Sequence, residues 1–309
     1  MDNRRAFLQQ SVAAAAVAAL AGGTAASARK TTRTEPRKFK LLYGSHFGMF
    51  KESAGADPIA QLEFMAAQGF MALEDNGLMG RATELQQRIG EALTRLGMTM
   101  GVFVIDGGDN WKTSLTTGLP EFRDKFLDTC RTAVEVAKRV NARWATVVPG
   151  YFERKLPIGI QTGNVIDILR AGAAILAPHN LTMVLEPLSD NPDLFLRTSD
   201  QAYSICRAVD SPACKILYDM YHMQRNEGDI IQHINLAWSE IAYFQIGDNP
   251  GRKEPGTGEV NYKNVFKHIH GRMQADKRDF VFGMEHGNSI PGVEGEKALI
   301  DAYVAADAF

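Results

Sequence analysis

Leu181-Thr182-Met183-Val184-Leu185-Glu186-Pro187 is an apolar run that ends on an acid placed directly before a proline. Proline crowds the preceding residue out of the helical region, so Glu186 is read as the extended terminus of a buried strand. The same grammar recurs downstream. Lys215-Ile216-Leu217-Tyr218-Asp219, Ile241-Ala242-Tyr243-Phe244-Gln245 and Phe280-Val281-Phe282-Gly283-Met284-Glu285 each close an apolar run on an oxygen-bearing side chain. Upstream runs at 40–45, 70–74, 99–105 and 144–148 bring the predicted strands to eight. Helical periodicity fills the intervals near 57–69, 80–96, 121–140, 163–179, 198–208, 227–238, 261–272 and 293–307. Pro120-Glu121 and Thr198-Ser199-Asp200 supply helix-start signals.

Eight strand-then-helix alternations require parallel strands joined by right-handed crossovers, and eight such strands close on themselves. The fold class read from the chain is therefore α/β, a (β/α)8 TIM barrel forming one domain over residues 38–309. An open doubly wound sheet would advertise a glycine-rich phosphate turn after its first strand. Here that turn is Gly44-Ser45-His46-Phe47-Gly48-Met49, without the GxGxxG spacing.

Bulk properties narrow the function classes. With 309 residues, 45% hydrophobic and 23% charged, the chain has the composition of a globular enzyme. A formal charge of -2 supplies no positive field for phosphate neutralisation, which excludes nucleic acid as the expected partner. Cys130, Cys206 and Cys214 show no CxxC spacing and are read as small buried hydrophobes.

Residues 1–28 are set apart from the fold. Asn3-Arg4-Arg5-Ala6-Phe7-Leu8-Gln9 places paired arginines before an aromatic–leucine pair and resembles a twin-arginine export motif. The alanine-rich run 11–20 follows, and Ala26-Ser27-Ala28 offers small residues to a signal peptidase. About ten apolar residues are half of what a membrane span needs, so no stable membrane anchor is expected. The reading is export through the twin-arginine translocase to the periplasm, with 29–37 as a flexible lead-in.

In a barrel, chemistry gathers where strands end and the βα loops begin. Glu186, Asp219, Gln245 and Glu285 terminate strands five to eight, three carboxylates and one amide oxygen. Any one of them alone reads as a solvated loop group or a helix cap. Together they make a hard, oxygen-rich ligand set suited to one divalent metal ion, Mg2+, Mn2+ or Co2+. His222 follows Asp219 by three residues. Arg252 and Glu254 lie in a Gly/Pro-bounded loop, 247–258, long enough to arch over the barrel mouth. His46, Phe47 and Trp111 are candidate pocket walls.

Leu185-Glu186-Pro187, Asp219-Met220-Tyr221-His222, Gln245-Ile246 and the stretch Pro250-Gly251-Arg252-Lys253-Glu254-Pro255-Gly256-Thr257-Gly258-Glu259-Val260-Asn261-Tyr262 resemble the hydroxypyruvate isomerase family. That family belongs to the xylose isomerase-like barrels, and the resemblance runs through nearly all of 38–309. It implies metal ligands at Glu186, Asp219, Gln245 and Glu285, with the two glutamates as the acid/base pair. It further implies substrate contacts from His222 and Arg252, with Glu254, His46 and Trp111 as further candidates, and a small sugar or keto-acid substrate. The ends of strands one and eight, His46-Phe47-Gly48 and Glu285-His286-Gly287-Asn288, depart from the family pattern. The implied reaction is aldose–ketose isomerisation through an enediolate. Ketose 3-epimerisation or a lyase reaction begins with the same proton removal and stays open, as does a non-catalytic periplasmic sugar-binding barrel. A homo-oligomer is left open too. A zinc phosphodiesterase would need more strand-end histidines and a basic face.

Overall fold

The computed structural model describes residues 38–309, so the export segment and the lead-in lie outside the described residues. Eight parallel strands run β1 Leu42–His46, β2 Ala72–Glu74, β3 Thr99–Met100, β4 Trp144–Val147, β5 Thr182–Leu185, β6 Cys214–Asp219, β7 Ile241–Gln245 and β8 Val281–Gly283. Their order in the sheet is β3-β2-β1-β8-β7-β6-β5-β4. A parallel bridge between Val104 and Thr146 joins the continuation of β3 to β4 and closes the ring. All eight predicted strands are present, several of them shorter than the apolar runs that announced them.

Strand alternation sets what faces inward. Ala72, Val102, Val184, Leu217, Tyr243 and Val281 form one buried cluster, with Leu42 and Trp144 packed against it. That is one side chain from each of seven strands and, through Val102, one from the continuation of β3, a layer across the barrel interior. Moving two residues along a strand returns to the same face. The next layer toward the strand ends therefore holds Glu74, Glu186, Asp219, Gln245 and Gly283. Two residues further on are His46 and Glu285. The functional layer is the barrel core continued upward by register.

Helices cover the outside, and most apolar side chains lie between them and the sheet. Asp57 caps the helix Pro58–Gln68 by accepting from the Ala60 N–H, and Thr198 does the same for Ser199–Val209. The predicted helix 227–238 begins earlier and is broken. Asp219 caps a short helix, Met220–Asn226, and Gly228 and Asp229 take positive φ before Ile230–Ala237 resumes. No described helix is long and apolar enough to cross a membrane. All three cysteines are free and buried.

At Gly90 the helix Thr83–Leu96 approaches the end of Pro120–Val140 so closely that a Cβ would collide with the Arg139 carbonyl. Gly90→Ala is expected to destabilise the fold by about 2 kcal/mol, since overpacking outweighs the gain in helix propensity. Thermal denaturation against the unsubstituted protein checks this; an unchanged or raised melting temperature would refute the close approach.

Candidate active site

Glu186, Asp219, His222 and Glu285 each bring one ligand atom to a common point, all four within 4.8 Å of one another. Asp219 and His222 are fully buried, Glu186 nearly so, and Glu285 half-buried at the mouth. The cap that starts the helix Met220–Asn226 also aims this group. Asp219 Oδ1 accepts from the Tyr221 N–H at 2.8 Å, leaving Oδ2 for the centre. The single helical turn from Asp219 to His222 brings the imidazole back beside that carboxylate, with Nε2 3.4 Å from Oδ2.

Arg252, held at φ 50 in the loop after β7, reaches into the same place. Its Nη2 donates to Glu285 Oε2 at 2.7 Å and Asp219 Oδ2 at 3.2 Å, and lies 3.2 Å from His222 Nε2. Its Nε donates to the Glu285 carbonyl. The guanidinium also covers the Tyr221 ring, 4.8 Å from the centroid. On its other side the Ser189 N–H donates to His222 Nδ1 at 3.2 Å, and Ser189 Oγ lies 2.8 Å from the same nitrogen. Burial, with Arg252 and Arg225, keeps this imidazole well below its ordinary pKa and therefore neutral.

The acids are perturbed in the opposite sense. Burial, followed by the Glu285 and Asp219 carboxylates, raises Glu186 well above the usual carboxylate range. Burial pushes Asp219 up to about 7 although Arg252 opposes it. Concentrated, desolvated negative charge of this kind is what a bound cation relieves.

Gln245 sits at the edge of the cluster. Its amide nitrogen donates to Glu74 Oε1, and its buried oxygen has no partner among the described residues. An unpaired buried acceptor beside three carboxylates and a neutral imidazole is an incomplete hydrogen-bond account. A hard dication would complete it. Glu186, Asp219, Glu285 and Gln245 offer oxygens, and His222 brings an imidazole nitrogen to the same point, so this donor set fits such an ion.

Residues 60–301 match the family described as xylose isomerase-like TIM barrel. The chain belongs to that family. Hydroxypyruvate isomerase of Escherichia coli is 32% identical over 157 residues, 49% of this chain and 59% of that protein. The chain thus spans less than two thirds of that relative's length. A 2-oxo-tetronate isomerase of Cupriavidus necator is 29% identical over 224 residues, 71% of this chain and 83% of its own. A solved structure of an AP endonuclease, family 2, from Brucella melitensis shares the fold with TM-score 0.72 and 21% identity, covering 85% of this chain and 99% of its own. The apo 3-keto-D-glucoside 4-epimerase of Escherichia coli does so with TM-score 0.69 and 19% identity, covering 87% and 100%.

Within this xylose isomerase-like barrel the structure sorts the sequence candidates. Glu186, Asp219, Glu285, His222 and Arg252 come together, with Gln245 beside them. His46 stands at the rim of the same space, Nε2 3.2 Å from Glu74 Oε1. Phe47 lies beneath Arg81, whose guanidinium is 5.0 Å from the ring centroid. Two candidates lie outside the cluster. Glu254 is buried, and its two oxygens accept from the Ser289 N–H and Oγ–H, fastening the 247–258 loop to the turn after β8. Trp111 is 46% exposed, and no described contact joins it to the cluster. Two neighbours went unread in the sequence. Asn76 Nδ2 donates to Glu285 Oε1 at 2.9 Å, and Glu74 anchors Gln245. For Glu74 the signal was available, an acid ending the predicted strand 70–74.

Arg252→Ala in chelator-treated protein removes the charge that the acids face. The expected loss is roughly 3 kcal/mol, the cost of stripping one partner from a buried ion cluster. Adding Glu285→Gln to that variant should recover part of it. Denaturant titrations of the single and double variants measure both, and independent, additive losses would show that Arg252 does not neutralise this cluster.

Proposed function

We propose that this chain is a divalent-metal-dependent isomerase acting on a short keto acid or keto-sugar, in the manner implied by relatives named hydroxypyruvate isomerase and 2-oxo-tetronate isomerase. One observation carries the reading: three carboxylates and an imidazole nitrogen converge at the C-terminal mouth of the barrel, with the unpartnered amide oxygen of Gln245 on the strand beside Asp219. Glu186, Asp219, Gln245 and Glu285 are the proposed ligands, with His222 as a further donor at the same point. A divalent ion held there, Mg2+, Mn2+ or Co2+, would supply positive charge to stabilise the negative charge that develops as the substrate loses its proton.

The chain's own groups do the rest. Moving a carbonyl to its neighbour requires a proton to leave one carbon and reach the next. Glu186 and Glu285 are the carboxylates placed to take and return it. The desolvation that raises Glu186 makes it a stronger base than an exposed glutamate. Arg252, once turned from the carboxylates, presents a planar pair of donors to a substrate carboxylate or hydroxyl pair. Asn76 steadies Glu285 from the turn after β2 through its 2.9 Å bond.

Glu285→Gln should reduce turnover of hydroxypyruvate or a short ketose at least 100-fold while leaving the melting temperature within a few degrees. Wild-type turnover in that variant would remove Glu285 from the mechanism. The epimerase alternative separates in the product: in D2O, NMR places deuterium on the adjacent carbon for an isomerase and on the original carbon for an epimerase.

We infer further that residues 1–28 direct export by the twin-arginine route, which suits an enzyme folded around its metal before translocation. Replacing Arg4 and Arg5 together by lysine should leave uncleaved protein in the cytoplasm. Fractionation with N-terminal sequencing tests this; processed variant in the periplasm would rule the route out.

A further inference from the structure

Glu74 is fully buried at the end of β2, inside the barrel, and among the described residues no arginine or lysine forms an ion pair with it. A carboxylate in that position is costly unless its lone pairs are used. They are. Tyr243 Oη donates to Oε2 at 3.1 Å, the Gln245 amide nitrogen donates to Oε1, and His46 Nε2 stands 3.2 Å from the same oxygen. The neighbouring strands are carved to admit it. A Cβ on Gly283 of β8 would collide with the Glu74 carboxylate, and a Cβ on Gly101 would collide with the Tyr243 hydroxyl. Two strands thus give up side chains so that one acid can reach β7.

From this arrangement we propose that Glu74 is a positioning residue that fixes the orientation of the Gln245 amide, turning its oxygen to the metal. A primary amide has two ends of nearly equal size and opposite polarity, and only one of them ligates a cation. Glu74 Oε1 accepts from the Gln245 NH2 end, which leaves Gln245 Oε1 free, buried and unpaired among the described residues. The contact spans 171 residues of sequence and forms only when the barrel closes. Outer groups that orient a metal ligand commonly govern affinity without touching the ion. The inference rests on the metal reading of the site and adds a residue outside the ligand set.

The test is Mn2+ binding by calorimetry, with Mn2+ EPR on the same samples. Glu74→Met replaces the acid with an apolar side chain of similar length. The change strands the buried Tyr243 Oη–H and Gln245 NH2 donors, so the metal-free variant should melt somewhat below the parent temperature while staying folded. Its Mn2+ affinity should nevertheless fall by about 10–100-fold. Adding Gln245→Glu to Glu74→Met should restore most of that affinity, because a carboxylate offers oxygen at either end. Gln245→Glu alone should bind weakly, since it sets two carboxylates face to face. The exchange Glu74→Gln with Gln245→Glu keeps the charge and hydrogen-bond count, and serves if Glu74→Met does not fold; Mn2+ affinity within about threefold of the parent supports orientation. Parent-like affinity in Glu74→Met, or no recovery in the paired variants, overturns the inference and leaves the metal site standing. A parent protein that takes up no Mn2+ overturns both.

Discussion

Negative charge packed out of water is the constraint around which this barrel mouth is organised. Two carboxylates 4 Å apart repel by about 4 kcal/mol at the effective dielectric of a protein site. Glu186, Asp219 and Glu285 meet at closer to that distance than surface acids do, and Glu74 stands behind them. Such a group persists only if something positive lies at its centre or if the acids take up protons. The structure shows elements of both. Arg252 Nη2 is inserted between Glu285 and Asp219, and Asp219 and Glu186 are driven toward protonation.

The backbone delivers this charge through the plainest property of a strand. Val184, Leu217 and Tyr243 belong to an apolar layer across the interior, and the residues two further along β5, β6 and β7 are Glu186, Asp219 and Gln245. Asp219 pairs with Gln245 in register, and Gln245 with Gly283. A slip of one residue in any of these strands would turn its ligand outward into the helical layer. The apolar layer therefore stabilises the fold and fixes the site with the same contacts. Stability and function share one register here.

This sharing explains what the sequence disclosed and what it withheld. An acid ending an apolar run is visible without coordinates, so Glu186, Asp219, Gln245 and Glu285 could be picked out together, and eight strand–helix alternations gave the barrel. Glu74 ended such a run as well. Its partners, His46, Tyr243 and Gln245, lie on strands that meet it only across the closed ring, and no local pattern announces that. The 247–258 loop posed a different difficulty. Arg252 and Glu254 sit two residues apart with no helical or strand period between them to say which faces the centre. Arg252 turns in through a left-handed backbone, whereas Glu254 is consumed by Ser289. Trp111 shows that an aromatic on a long βα loop carries no direction of its own. The early start of the helix Met220–Asn226 was signalled by Asp219 as a cap, and the same aspartate's place as a strand end concealed it.

Arg252 ties the electrostatics to the loop that carries it. Its Nη2 contacts Glu285 Oε2 and Asp219 Oδ2, atoms that a dication at this centre needs. Two cations cannot share those oxygens at hydrogen-bond distance without repelling each other as strongly as the acids do. A dication concentrates twice the charge in a smaller volume, so one bound at this centre would displace the guanidinium from those oxygens. The loop is built to let it do so while staying in place. Asp248 Oδ2 accepts from the Gly256 and Gly258 N–H groups, Oδ1 accepts from Val260 N–H, and Glu254 holds Ser289, so the loop's attachments are independent of the Arg252 side chain. Tyr221 offers its ring face to the guanidinium next to the cluster. The side chain can therefore leave its carboxylate partners without the backbone being remade, because nothing that holds the loop passes through the guanidinium.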